Sequence, residues 1–340
     1  MKIGFVGYQA SGKSSLFEWL SGVPADPAKA HETQSAMVAV PDDRVPQLCV
    51  IYDPKKITQA AIEIVDTPGL SRTHEGSAGK LALIREAGCL VVVIAAYGGS
   101  DPLADLKNFD DDLLIADLDI VSGRVERLRD QVKRPRPNRE ELQRELVALE
   151  PLLQTLESGG QIRDLQLTLD QKNAIRSFQL FSEKPRLVIF NLAEDQSPAD
   201  FRIEVPEGIC SVAVSLALQK ELARLEPAER DAFCAEMGVA VFDRDSLLRT
   251  MMDVSGQMLF FTAGEKEVRT WLVRKGGTAV EAAGCIHTDL AKGFIRAEVM
   301  RCADLVRLGS EREIKAHNLL RHEHKDYVIQ DGDILLIRHS

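Results

Sequence analysis

Gly7-Tyr8-Gln9-Ala10-Ser11-Gly12-Lys13-Ser14 has the form G-x-x-x-x-G-K-S. The apolar run 3–6 before it predicts a buried strand, and Leu16, Phe17, Trp19 and Leu20 after it predict a helix. Strand, glycine loop and helix form the setting in which this spacing binds phosphate. Gly7 and Gly12 admit backbone angles closed to other residues, so the N–H groups from Gln9, Ala10 and Ser11 through Ser15 can turn toward one anion. The helix N-terminus adds positive potential at the same point. Lys13 can reach the outer phosphates, which makes it the candidate catalytic charge, and the Ser14 hydroxyl can ligate Mg2+.

Composition narrows the class. A chain of 340 residues predicts two or three domains. Hydrophobic residues make up 45% and charged residues 28%, the balance of a globular protein. The longest strongly apolar run, 89–97, is too short to cross a bilayer, so no membrane partner is expected. Lys2 leads straight into the glycine loop, so no signal peptide is expected. The six cysteines form no C-x-x-C pair and read as reduced thiols of a cytoplasmic protein. A net charge of −10 argues against a general attraction to nucleic acid and against a specific DNA partner, while leaving room for a local basic patch.

Residues 23–33 read as a loop, and 37–40 and 60–65 as strands. The second strand ends in Asp66-Thr67-Pro68-Gly69, a D-x-x-G sequence downstream of the phosphate loop. Asp66 there can hold Mg2+ through water, and Gly69 can offer its N–H to a terminal phosphate. The pair of motifs predicts a switch-type nucleoside triphosphatase. Thr33 is the candidate switch threonine for the metal; the alternative is a solvent-exposed side chain. Leu70 occupies the place where Ras-like proteins carry a water-orienting glutamine, and leucine cannot align water. His74, four residues on, could substitute, or could be a surface residue.

After a strand at 89–96, leucine and valine recur at alternating spacings of four and three. They run from Leu114 to Val132 and from Leu142 to Leu156, which predicts an antiparallel helical hairpin. Asn138 and Glu141 are expected to cap its second helix. The tip, with Lys133, Arg134, Arg136 and Arg139, is either a partner-binding patch or a solvated turn. A strand at 186–190 leads into Asn191-Leu192-Ala193-Glu194, the position of the guanine-reading N-K-x-D motif, here without its lysine and with glutamate for aspartate. A strand at 211–215 brings Ser215 to the last base-contacting loop. Beyond about residue 265, strands at 267–273, 294–300 and 334–337 around a helix at 279–286 predict a small β-grasp domain.

These residues resemble the Obg-like ATPase (YchF) family. The likeness rests on the phosphate loop, Leu70 after D-x-x-G, and N-L-A-E. It extends to Phe261-Thr262-Ala263-Gly264, Lys266-Glu267-Val268-Arg269, Ile286-His287-Thr288-Asp289, Lys292-Gly293-Phe294-Ile295-Arg296-Ala297 and Lys325-Asp326-Tyr327. It spans essentially the whole chain. The resemblance implies an α/β fold: a P-loop G domain over 1–110 and 185–255, a coiled-coil insertion over 111–184, and a C-terminal TGS domain over 256–340. It implies an ATPase that binds GTP less well, with Asn191 on adenine beside Leu192, and a ribosomal or other RNA–protein partner. Two loops are shorter than the family's, around 71–80 and after Tyr97, and the family's loop histidine has no counterpart between Gly98 and Leu118. Slow, Mg2+-dependent ATP hydrolysis is the expected activity. A GTP-specific switch and a non-hydrolysing adaptor are the alternatives.

Overall fold

The computed structural model describes residues 1–26, 28, 31–72, 77–135, 137–206 and 208–340. In chain order its elements begin with β1 (Lys2–Val6), α1 (Lys13–Ser21), β2 (Gln34–Ala39), α2 (Arg44–Tyr52), β3 (Ile57–Thr58), β4 (Ala61–Asp66), α3 (Ser77–Arg85) and β5 (Cys89–Ala96). There follow α4 (Pro102–Val132), α5 (Arg139–Glu157), α6 (Leu169–Ile175), β6 (Arg186–Leu192), β7 (Cys210–Val214), α7 (Leu216–Leu222), α8 (Pro227–Met237) and α9 (Arg244–Val254). The chain closes with β8 (Gln257–Ala263), β9 (Val268–Arg274), α10 (Ala279–Ile286), α11 (Thr288–Lys292), β10 (Phe294–Arg301), α12 (Cys302–Leu308), α13 (Glu311–Ala316), β11 (Arg321–Glu323) and β12 (Asp333–His339). The chain forms two compact units, Met1–Ala36 with Glu63–Phe242, and Met37–Ile62 with Asp243–Ser340.

The first unit is built on a sheet in the order β2-β4-β1-β5-β6-β7. β1 runs parallel to both β4 and β5, and β6 runs parallel to both β5 and β7. A parallel sheet covered on both faces calls for continuous apolar strands. β5 supplies one, Cys-Leu-Val-Val-Val-Ile-Ala-Ala, buried along nearly its whole length. Parallel strands also end on one edge, so the loops after β1, β4, β5, β6 and β7 gather there, where α/β sheets bind their ligands. β6 runs two residues past the predicted 186–190, because Asn191 and Leu192 still pair with Ala95 and Ala96.

The helical insertion starts earlier than expected. The Asp101 carboxylate accepts from Ala104 N at 3.0 Å, and Pro102 fits the first turn, where its missing N–H costs nothing. Val121, Val125 and Leu128 share one buried cluster with Leu142, Leu146, Leu149, Leu153 and Leu156. Ile162, Ile175 and Leu180 complete that cluster, so α6 is a third element of the insertion. Asn138 sits at the start of α5 but makes no side-chain cap, contrary to expectation; its backbone torsions of −99° and 21° lie outside the extended range typical of a capping residue. Midway along α4, the fully buried Asp117 accepts from Ser182 N and Oγ, each at 2.8 Å, and from Arg85 Nη1 at 2.9 Å. That places the end of α3 against α4 without leaving the buried charge unpaired.

The second unit carries a sheet in the order β11-β10-β12-β8-β9-β3. Side chains alternate across a strand, so Phe260 and Phe261 of β8 serve opposite faces. Phe260 packs with Ala279 and Ala282 of α10. Phe261 packs with Val45 and Leu48 of α2, Leu305 of α12 and Ile314 of α13. The unit is therefore larger than three strands around one helix, because residues 37–62 supply a helix and an edge strand to it.

Candidate functional site

The glycine loop leaves β1 through Gly7, at φ 144°, and enters α1 through Gly12, at φ 106°, both in the region that disfavours side chains. Space forbids them as well. A Cβ at Gly7 would meet the Val93 carbonyl oxygen at 2.4 Å, and one at Gly12 would meet Asn191 Nδ2 at 2.2 Å. Between them, Ala10 also takes a positive φ of 60°. The D-x-x-G segment is fastened alongside: Gln9 N donates to Leu70 O at 3.0 Å and Leu70 N to Gly7 O at 3.1 Å. Leu70 itself is 1% exposed and packs in the core, so it presents nothing to the phosphates. Gly69 fits only as glycine, since a Cβ there would lie 2.9 Å from the backbone N and Cα of Gln9.

Lys13 is buried and donates to Tyr8 O at 2.8 Å. Burial, reinforced by Lys80 and opposed by Asp66, brings its ammonium down to about 8. The exposed Ser14 donates its hydroxyl proton to Asp66 Oδ2 at 2.6 Å. The other carboxylate oxygen, Asp66 Oδ1, is buried without a partner, as is Ser11 Oγ. Burial pushes the Asp66 carboxyl above its ordinary range. An orphaned buried oxygen beside a hydroxyl calls for an explanation, and a hard cation supplies one. Among the described residues there is no cluster of three or more acidic, histidine or cysteine ligands. The donors fit Mg2+, which keeps several waters and uses one or two protein oxygens plus phosphates.

Two adjoining cavities occupy this edge. One, about 640 Å³, is lined by Gly12, Lys13, Ser14, Ser15, Tyr97 and Leu192, together with Ala193 and Glu194. The other, about 420 Å³, is lined by Lys13, Ser14, Asp66, Thr67, Gly69 and Lys80, together with His31, Glu32 and Gln34. The predicted Thr33 is exposed and does not line either cavity. His74 lies outside the described residues. Asn191 is 6% exposed and uses both ends of its amide: Nδ2 donates to Ser11 O and Oδ1 accepts from Leu216 N, each at 3.0 Å. It stitches the glycine loop to the start of α7. Ser215, 2% exposed, caps α7 by accepting from Leu218 N at 3.4 Å. Leu192 is buried and Glu194 exposed.

Two residues escaped the sequence reading. Tyr97 lies at the end of the β5 run and donates from its hydroxyl to Ala10 O at 2.5 Å. Its place at the end of an apolar strand was the available signal. Lys80 donates to Gly69 O at 2.9 Å. No motif marks it, since only the path of the chain between 69 and 80 brings it back.

Comparison with known proteins follows this geometry. Residues 2–121 match the family MMR_HSR1, "50S ribosome-binding GTPase", and 258–340 match YchF-GTPase_C, "Protein of unknown function". The chain is 34% identical over 360 residues to the "Ribosome-binding ATPase YchF" of Haemophilus influenzae, covering 99% of this chain and 98% of that one. It is 31% identical to the Bacillus subtilis protein of the same name, covering 98% of each. It is 32% identical to "Obg-like ATPase 1" of Oryza sativa subsp. japonica, over 99% of this chain and 92% of that one. The solved YchF GTPase of Schizosaccharomyces pombe superimposes with a TM-score of 0.85 at 27% identity, over 99% and 97% of the two chains.

Proposed function

The chain belongs to the YchF family of Obg-like ATPases, and on that premise we propose that it is a cytoplasmic, ribosome-associated switch protein that binds ATP in preference to GTP and hydrolyses it slowly. The observation that carries this reading is the convergence of the glycine loop, Lys13, Asp66 and the N-L-A-E turn on one sheet edge. The amides from Gln9 to Ser15, with Lys13, would hold the phosphates, and the Gly69 N–H would meet the terminal one. Ser14 and Asp66 would hold Mg2+, which when bound neutralises phosphate charge. Thr33 would join them only by turning inward from its exposed position. Leu192, Ala193 and Glu194 would wall the base, with Asn191 and Ser215 setting the wall's position.

The preference for adenine follows from the base end. A guanine site sets an aspartate against two guanine donors and lays a lysine stem beside the ring. Leu192 and Glu194 supply neither in that form. Slow turnover follows from Leu70, which is sunk in the core. A group that positions the attacking water must then come from elsewhere, and a partner is the economical source. The relatives' description as ribosome-binding names that partner, and the exposed basic tip at Lys133, Arg134 and Arg139 suits an RNA surface. Single-turnover ATP hydrolysis with and without ribosomes tests the reading. Slow hydrolysis, accelerated by ribosomes, is expected. Absence of hydrolysis in both arms would leave a nucleotide-dependent adaptor.

A further inference from the structure

Lys80 stands in the first turn of α3, eleven residues beyond Gly69, yet its ammonium returns to the Gly69 carbonyl at 2.9 Å. Lys13 also approaches Gly69: its Nζ would be 2.8 Å from a Cβ built at that glycine, with the backbone N of Gln9 at 2.9 Å. Two ammonium groups and a loop amide therefore lie beside one residue. Such a pair costs electrostatic energy in the free protein, and an anion placed between them offsets that cost. One donor of Lys80 is spent on Gly69, and an ammonium carries three.

The position selects which anion. Lys13 and Ser14 line both cavities, so they serve the part of the nucleotide that joins them. Lys80 lines only the cavity away from Leu192 and Glu194, beside Asp66, Thr67 and Gly69. We propose that Lys80 is a second phosphate-facing cation that recognises the terminal phosphate of a bound triphosphate and so separates triphosphate from diphosphate. The assignment rests on the nucleotide site proposed above. It makes Lys80 a binding residue carried by the helix that follows the D-x-x-G segment.

The test titrates a non-hydrolysable ATP analogue and ADP, each with Mg2+, against the full chain as wild type, Lys80→Ala and Lys80→Arg, with thermal melting as a check on folding. Lys80→Ala should weaken the analogue by about ten- to a hundredfold, the loss expected for one charged hydrogen bond, and change ADP by less than about twofold. Lys80→Arg should restore most of the analogue's affinity. Equal losses for the analogue and ADP, or no loss for either, would overturn the assignment of Lys80 while leaving the site intact. A wild-type protein that binds neither nucleotide would overturn the site itself, and this inference with it.

Discussion

The two ends of the nucleotide cleft are built from different materials. The phosphate end is made of backbone held where only glycine fits, at Gly7, Gly12 and Gly69. The base end is made of side chains: a buried amide at Asn191, a buried Leu192 and an exposed Glu194. Steric exclusion admits one residue type and is unforgiving. A side-chain wall admits several, and its selectivity changes by a methylene. In the proposed site the first end would hold the phosphates, and the second would choose the base that accompanies them.

Substitutions can separate the two. Lys13→Ala removes the charge common to all phosphates, so ATP and GTP should both weaken by about a hundredfold with their ratio unchanged. The protein should stay folded, since the loss also relieves a buried ammonium; isothermal titration and melting read both quantities. Asn191→Ala strands Ser11 O and Leu216 N in the interior. It should cost about 2 kcal/mol of stability or more and weaken both nucleotides alike, as measured by denaturant unfolding. Leu192→Lys with Glu194→Asp should move the ATP-to-GTP ratio by about tenfold toward GTP. That pair should also lower Tm, because Leu192 is 2% exposed and packs in the core. A shift in ratio from Lys13→Ala, or none from the double variant, would erase the distinction between the ends.

A gentler probe is pH. Lys13 titrates at about 8 in the free protein instead of 10.5, chiefly through burial. Its folded pKa is lowered, so above pH 8 the free protein has lost the proton that the phosphate-bound form retains. Binding then takes up a proton, and affinity should fall by up to about tenfold per pH unit above 8, while staying flat below it. ATP and GTP should follow the same curve, because the titrating group lies at the shared end. Titrations at about pH 7 and about pH 9 with both nucleotides read this directly.

The phosphate end was legible because its signal is local: eight consecutive residues encode a strand end, a turn and a helix start. The Asp66–Gly69 turn was legible for the same reason. Lys80 and Tyr97 were not, because they reach the site through tertiary return of the chain. The role of Asn191 was half legible. Its position at the end of β6 is written in the apolar run 186–190, but its bonds to Ser11 and Leu216 depend on loops from two other strands. In the fold, short apolar runs predicted most strands. The expectation for the second unit lacked residues 37–62, because a short amphipathic helix at Arg44–Tyr52 carries no sign of which distant sheet it covers.

The reading proposed for this protein is a single nucleotide site whose phosphate end is common and whose base end favours adenine. Competition titration of ATP and GTP, with Mg2+, against the purified chain addresses it most directly. One binding stoichiometry, mutual displacement and tighter binding of ATP are expected. GTP binding as tightly as ATP or tighter, or the two nucleotides failing to displace one another, would contradict it.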